Sequence, residues 1–118
     1  MRTLVLTLIP ALGLTLAGVS ARAQTIAPSE ALPHAGQTVT VEGAVGNVHR
    51  LASGLTFIDI GGRYPENPFT AVILAADNGK FPNVNAFAGR TVDITGKVQI
   101  YKGKPEIVLT DAAQIKAK

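Results

Sequence analysis

The sequence has 118 residues, no cysteine and a formal charge of +3. Without cysteine, disulfides, thiolate chemistry, zinc–sulfur sites and a lipid-modified cysteine at a processed terminus are all excluded. The charge carries little information about partners, because two of the eleven basic side chains, Arg2 and Arg22, lie in a segment expected to be removed.

That segment opens with Met1 and Arg2, runs apolar from Leu4 to Val19 and closes on the small-x-small triad Ala21-Arg22-Ala23. This is the order of a secretory signal peptide, so cleavage is expected after Ala23, with the product in the periplasm or secreted. The apolar run is shorter than the roughly 20 residues of a spanning helix and contains Pro10 and Gly13, so no membrane anchor is expected after cleavage. The remaining 95 residues suffice for one domain, with nine basic side chains against eight acidic ones.

Residues 24–37 hold Pro28, Pro33 and Gly36 and no sustained period, which reads as an N-terminal arm or linker with one helical turn near Ser29–Leu32. From Thr38 the pattern alternates, with Val39, Val41, Gly43 and Val45 on one face. This first strand is interrupted by Gly43 and Gly46, the residue type that marks a bulge or sharp bend. A turn at Arg50–Gly54 leads to a second strand at Leu55–Ile60; a loop at Gly61–Pro68 leads to a third at Phe69–Ala75. Phe81, Val84 and Phe87 recur at helical spacing between Pro82 and Gly89, which predicts a short helix over 82–87. A fourth strand follows, with Val92, Ile94, Val98 and Ile100 on one face, then the basic turn Tyr101-Lys102-Gly103-Lys104-Pro105 and a fifth strand at Glu106–Leu109. Residues 111–118 form a tail.

Three strands, a short helix and two strands make an all-β chain, and the order is that of a five-stranded OB-fold Greek-key barrel with one short helix between strands 3 and 4. Glycines 43, 46 and 96 suit the coiling of so small a barrel. A small open sandwich or an SH3-like barrel is the alternative. The segments Val39–Val45, Thr56–Ile60, Phe87–Val98 and Tyr101–Ile107 resemble OB-fold domains of the nucleic-acid-binding, tRNA-anticodon type, and also small exported bacterial OB-fold proteins. The resemblance spans residues 38–115 within a domain expected at 38–118. It implies binding of single-stranded nucleic acid, oligosaccharide or protein across the second and third strands.

If Thr56, Ile58 and Ile60 face inward, Phe57 and Asp59 face that surface; the opposite phase buries Leu55 and Phe57. Tyr64 beside Arg63, and Tyr101 at the head of the basic turn, are candidates for stacking against a base or sugar ring. Arg50, Arg63, Lys97, Lys102 and Lys104 are candidates for phosphate or carboxylate groups. Alternatively, Tyr101 caps a barrel end and Lys102–Lys104 is a solvated hairpin whose lysines discourage edge pairing. His34 and His49 are not spaced as metal ligands, no pair of carboxylates is selected by spacing, and Ser53 has no triad. The reading is a monomeric binding module without metal or cofactor, its ligand an anionic or sugar-containing polymer such as single-stranded nucleic acid. A protein-interaction or structural module of the cell envelope is the alternative, and a phosphodiester hydrolase is a third.

Overall fold

A computed structural model describes residues 23–118. The segment read as a signal peptide lies outside the described residues up to position 22. Eight strands follow in order: β1 (Gln24–Ile26), β2 (Thr38–Arg50), β3 (Thr56–Ile60), β4 (Phe69–Ile73), β5 (Thr91–Lys97), β6 (Gln99–Tyr101), β7 (Lys104–Val108) and β8 (Ile115–Ala117). The sheet runs β6-β7-β4-β3-β2-β5-β8, with β1 added in parallel to β2.

The long strand β2 belongs to both halves of this coil. Its first part, Thr38–Ala44, pairs antiparallel with β5, and its second, Val45–Arg50, pairs antiparallel with β3. The ladder shifts register between Val45 and Asn47, so Gly46 sits at a bulge where the strand turns from one neighbour to the other. No side chain fits there, because a Cβ on Gly46 would collide with the Gly62 carbonyl. The parallel pairing of β4 with β7 brings the last barrel strand back across the sheet, and β5 and β7 lie against each other without a ladder. At that approach a Cβ on Gly96 would stand 2.5 Å from Ile107 Cγ2. The sheet therefore wraps on itself but stays open.

Alternation fills the interior. Val39, Val41, Val45, Ile58, Ile60, Phe69, Ile73, Val92, Ile94, Val98, Ile107 and Leu109 are buried in one cluster. Each fully buried side chain of this kind contributes about 1.5–3 kcal/mol.

The structure differs from the sequence expectation in four places. Residues 24–37 are bound into the barrel: Ile26 and Ala31 are buried in the core, and two 3-10 turns, Pro28–Glu30 and Leu32–His34, follow β1. Prolines break the period there, but two apolar anchors hold the segment. The short helix is a single 3-10 turn, Val84–Phe87, preceded by another at Ala75–Lys80. Four residues cannot offset the nucleation cost of an α-helix, and the burial of Phe81 and Val84 holds the segment instead. The fourth strand is split at Val98, which exchanges backbone hydrogen bonds with residues 36 and 37. Beyond it β6 is an edge strand, and Ile100, expected inside, is 46 % exposed. The tail forms a 3-10 turn at Ala112–Gln114 and β8, which pairs with β5. There Gln114 Oε1 accepts from the Thr110 and Asp111 amides while its Nε2 donates to the Thr95 carbonyl.

Candidate ligand-binding cleft

Strand register assembles the outer face of the barrel. Thr56, Ile58 and Ile60 are buried, which turns Phe57 and Asp59 outward, the first of the two phases considered. Antiparallel pairing sets His49 opposite Phe57 and Asn47 opposite Asp59 on one side, and Thr70 opposite Asp59 on the other. The parallel ladder continues the row from Thr70 to Glu106, and the last hairpin carries it to Gln99.

Above this floor stand two raised elements. The β6–β7 hairpin turns through Lys102 (φ 51°) and Gly103 (φ 80°), with Tyr101 paired to Lys104 across it. Two consecutive positive φ angles match the twist of a two-residue hairpin, and glycine supplies the second without strain. The Gly61–Pro68 loop is secured near its C-terminal end. Buried Asn67 donates from Nδ2 to the Phe69 carbonyl and Thr70 Oγ1, both at 2.9 Å. Lys104 Nζ donates to the carbonyls of Pro65 (2.9 Å) and Asn67 (3.1 Å), tying hairpin to loop. The same ammonium lies 5.8 Å from the Tyr64 ring centre, and Lys102 Nζ lies 5.3 Å from that of Tyr101.

Between these elements lies a cleft of about 540 Å³ lined by His49, Phe57, Asp59, Tyr64, Pro65, Thr70, Tyr101, Lys102, Lys104, Pro105 and Glu106. Its walls are aromatic: Tyr64 and Tyr101 are 73 % and 57 % exposed, and Phe57 stacks obliquely on His49 at 5.3 Å. Its floor is acidic. Burial pushes the Glu106 carboxyl above its ordinary range. Asp59 is almost wholly buried, and its Oδ2 has no hydrogen-bond partner. The His49 Nε2 stands 3.8 Å from that oxygen, too far for a hydrogen bond. An oxygen left in this state costs about 1–3 kcal/mol, more when charged.

Of the eight candidates named from sequence, the cleft gathers Phe57, Tyr64, Tyr101, Lys102 and Lys104. Arg50 instead lines a smaller adjoining cleft of about 260 Å³, with His49 shared between the two, and its Nε donates to Thr56 Oγ1 at 3.0 Å. Arg63 is exposed on the loop and lines neither cleft. Lys97 lies opposite Thr38 at the end of β5, likewise outside both. Sequence reasoning did not select His49, Thr70 and Glu106. His49 was within reach, since extending the first strand through Arg50 and closing the hairpin onto Thr56 sets it beside Phe57. Thr70 and Glu106 require the parallel β4–β7 register, which no local pattern encodes.

The sequence matches no protein-family model and no curated protein sequence. Solved structures do share its fold. An OBody bound to hen egg-white lysozyme superposes with a TM-score of 0.62 at 19 % identity, over 82 % of this chain and 95 % of that one. Aspartyl-tRNA synthetase from Entamoeba histolytica gives a TM-score of 0.57 at 18 % identity, over 86 % of this chain and 22 % of that one. Asparaginyl-tRNA synthetase from Pyrococcus horikoshii gives 0.57 at 18 % identity, over 81 % and 23 %. The chain thus spans under a quarter of each synthetase. These likenesses establish the architecture as an OB-fold, as its element order predicts.

Proposed function

We propose that this chain is an exported binding module, acting in the periplasm or outside the cell, that holds an anionic or sugar-containing polymer across its β3–β4 face. Single-stranded nucleic acid is the first ligand. The observation that carries this reading is the convergence of Phe57, Tyr64 and Tyr101 with Lys102 and Lys104 around one cleft. Aromatic faces accept successive bases with little regard to sequence, while ammonium groups meet the phosphates between them. Lys104 spends two of its three donors on loop carbonyls, which leaves Lys102 the freer phosphate contact. OB barrels bind oligonucleotides and oligosaccharides on this face, and tRNA synthetases are among the structural neighbours. Export is supported by the order of residues 1–23 alone.

The test is fluorescence anisotropy with labelled single-stranded DNA and RNA. Tyr101→Ala is expected to lose about 1–3 kcal/mol of binding, the worth of one stacked base. Because Tyr101 is exposed, the same change should alter folding stability by less than about 0.5 kcal/mol. Unchanged affinity in both Tyr101→Ala and Lys102→Ala would remove the reading, and metal-dependent turnover of the DNA would replace it with the hydrolase.

A second reading, a protein-interaction module of the cell envelope, is favoured by the exposure of Tyr64, Ile100 and Tyr101 on neighbouring elements. The OBody that shares this fold is itself bound to a protein, lysozyme. A defined partner that co-purifies through nuclease and high salt would select it.

A further inference from the structure

We propose that Asp59 makes the cleft select bases that carry an exocyclic amine, so that it prefers cytosine and adenine to thymine or uracil. This rests on the cleft being a single-strand binding site, and it adds a specificity that stacking alone cannot supply. Asp59 is 2 % exposed and lines the cleft, and its buried Oδ2 has no hydrogen-bond partner. No neighbouring side chain hydrogen-bonds to it. Lys104 is committed to the carbonyls of Pro65 and Asn67, Lys102 lies over Tyr101, and His49 stays 3.8 Å away.

Phe57 and Asp59 are two residues apart on β3 and turn to the same face, so their Cα atoms are separated by about 6.6 Å. A base stacked beside Phe57 would then bring its edge toward the carboxylate. An ionised carboxylate accepts and never donates. Cytosine N4 and adenine N6 carry the amino hydrogens it requires, whereas thymine and uracil place the O4 carbonyl where cytosine has its amine.

The experiment measures anisotropy of labelled oligo(dC), oligo(dA) and oligo(dT), each of about ten nucleotides, against the wild-type chain, Asp59→Asn and Phe57→Ala. The wild type is expected to bind oligo(dC) and oligo(dA) about tenfold tighter than oligo(dT). Asp59→Asn, which keeps the shape but adds a donor, should shrink that ratio below about threefold. Phe57→Ala should weaken all three ligands and leave their order intact. Equal wild-type affinities, or an unchanged ratio in Asp59→Asn, would overturn this inference while leaving the binding module standing. If none of the three oligonucleotides binds, the binding reading fails and takes this inference with it. Equal wild-type affinities overturn the inference even if a variant does not fold.

Discussion

Two carboxyls at the cleft floor, Asp59 and Glu106, both meet Thr70 across the ladder yet differ in their surroundings. Glu106 is half-buried, and desolvation raises its pKa above the ordinary carboxylate range. A raised acid pKa means that the folded state holds the proton more tightly than the unfolded one. Glu106 therefore subtracts from stability as pH climbs from its unfolded pKa through the raised folded value, and subtracts nothing below the unfolded pKa. Glu106→Gln removes that penalty. The variant is expected to melt at higher temperature than the wild type near pH 7 and to match it below about pH 4, where both side chains are neutral. Thermal denaturation across that range checks the sign, and a variant less stable than wild type at neutral pH would contradict it.

At the scale of elements, the barrel depends on β1 as well as on its five main strands. Ile26 is buried at the parallel β1–β2 pairing, among the core side chains. Ile26→Ala is expected to destabilise the fold by about 2–4 kcal/mol through lost burial and the cavity left behind. A surface arm would tolerate the change, so urea unfolding of the variant separates the two cases directly. The β5–β7 approach makes a converse demand. The 2.5 Å that a Cβ on Gly96 would leave to Ile107 Cγ2 predicts overpacking in Gly96→Ala, at a cost of about 1–3 kcal/mol by the same measurement. The hairpin and the Gly61–Pro68 loop form the third unit at this scale. Lys104 joins them, so Lys104→Ala disturbs the placement of Tyr64 as well as removing a charge.

For the molecule as a whole, charge is nearly balanced beyond Ala23, and the basic groups at the cleft are Lys102 and Lys104, with His49 beside the floor. Single-strand binding loses about 0.7 of a log unit in affinity per log unit of salt for each phosphate neutralised. Two lysines therefore predict a slope of about −1.4, and Lys102→Ala should bring it to about −0.7. Titrations at several salt concentrations measure both. A far steeper slope would mean that a wider basic surface takes part, drawing in Arg50 or Arg63. The five-stranded order, the interior positions and the glycines of the coil were legible along the chain, because alternation and turn chemistry are local and a buried face leaves a period of two. The aromatic and basic members of the cleft were legible for the same reason, as conspicuous side chains at turns and loops. The burial of Ile26 and Ala31, the exposure of Ile100, the exclusion of Lys97 and the row from Thr70 to Glu106 were decided by tertiary structure. Each depends on which strands become neighbours, and in a barrel that is set by pairings between segments far apart in the chain, above all the parallel register of β4 with β7.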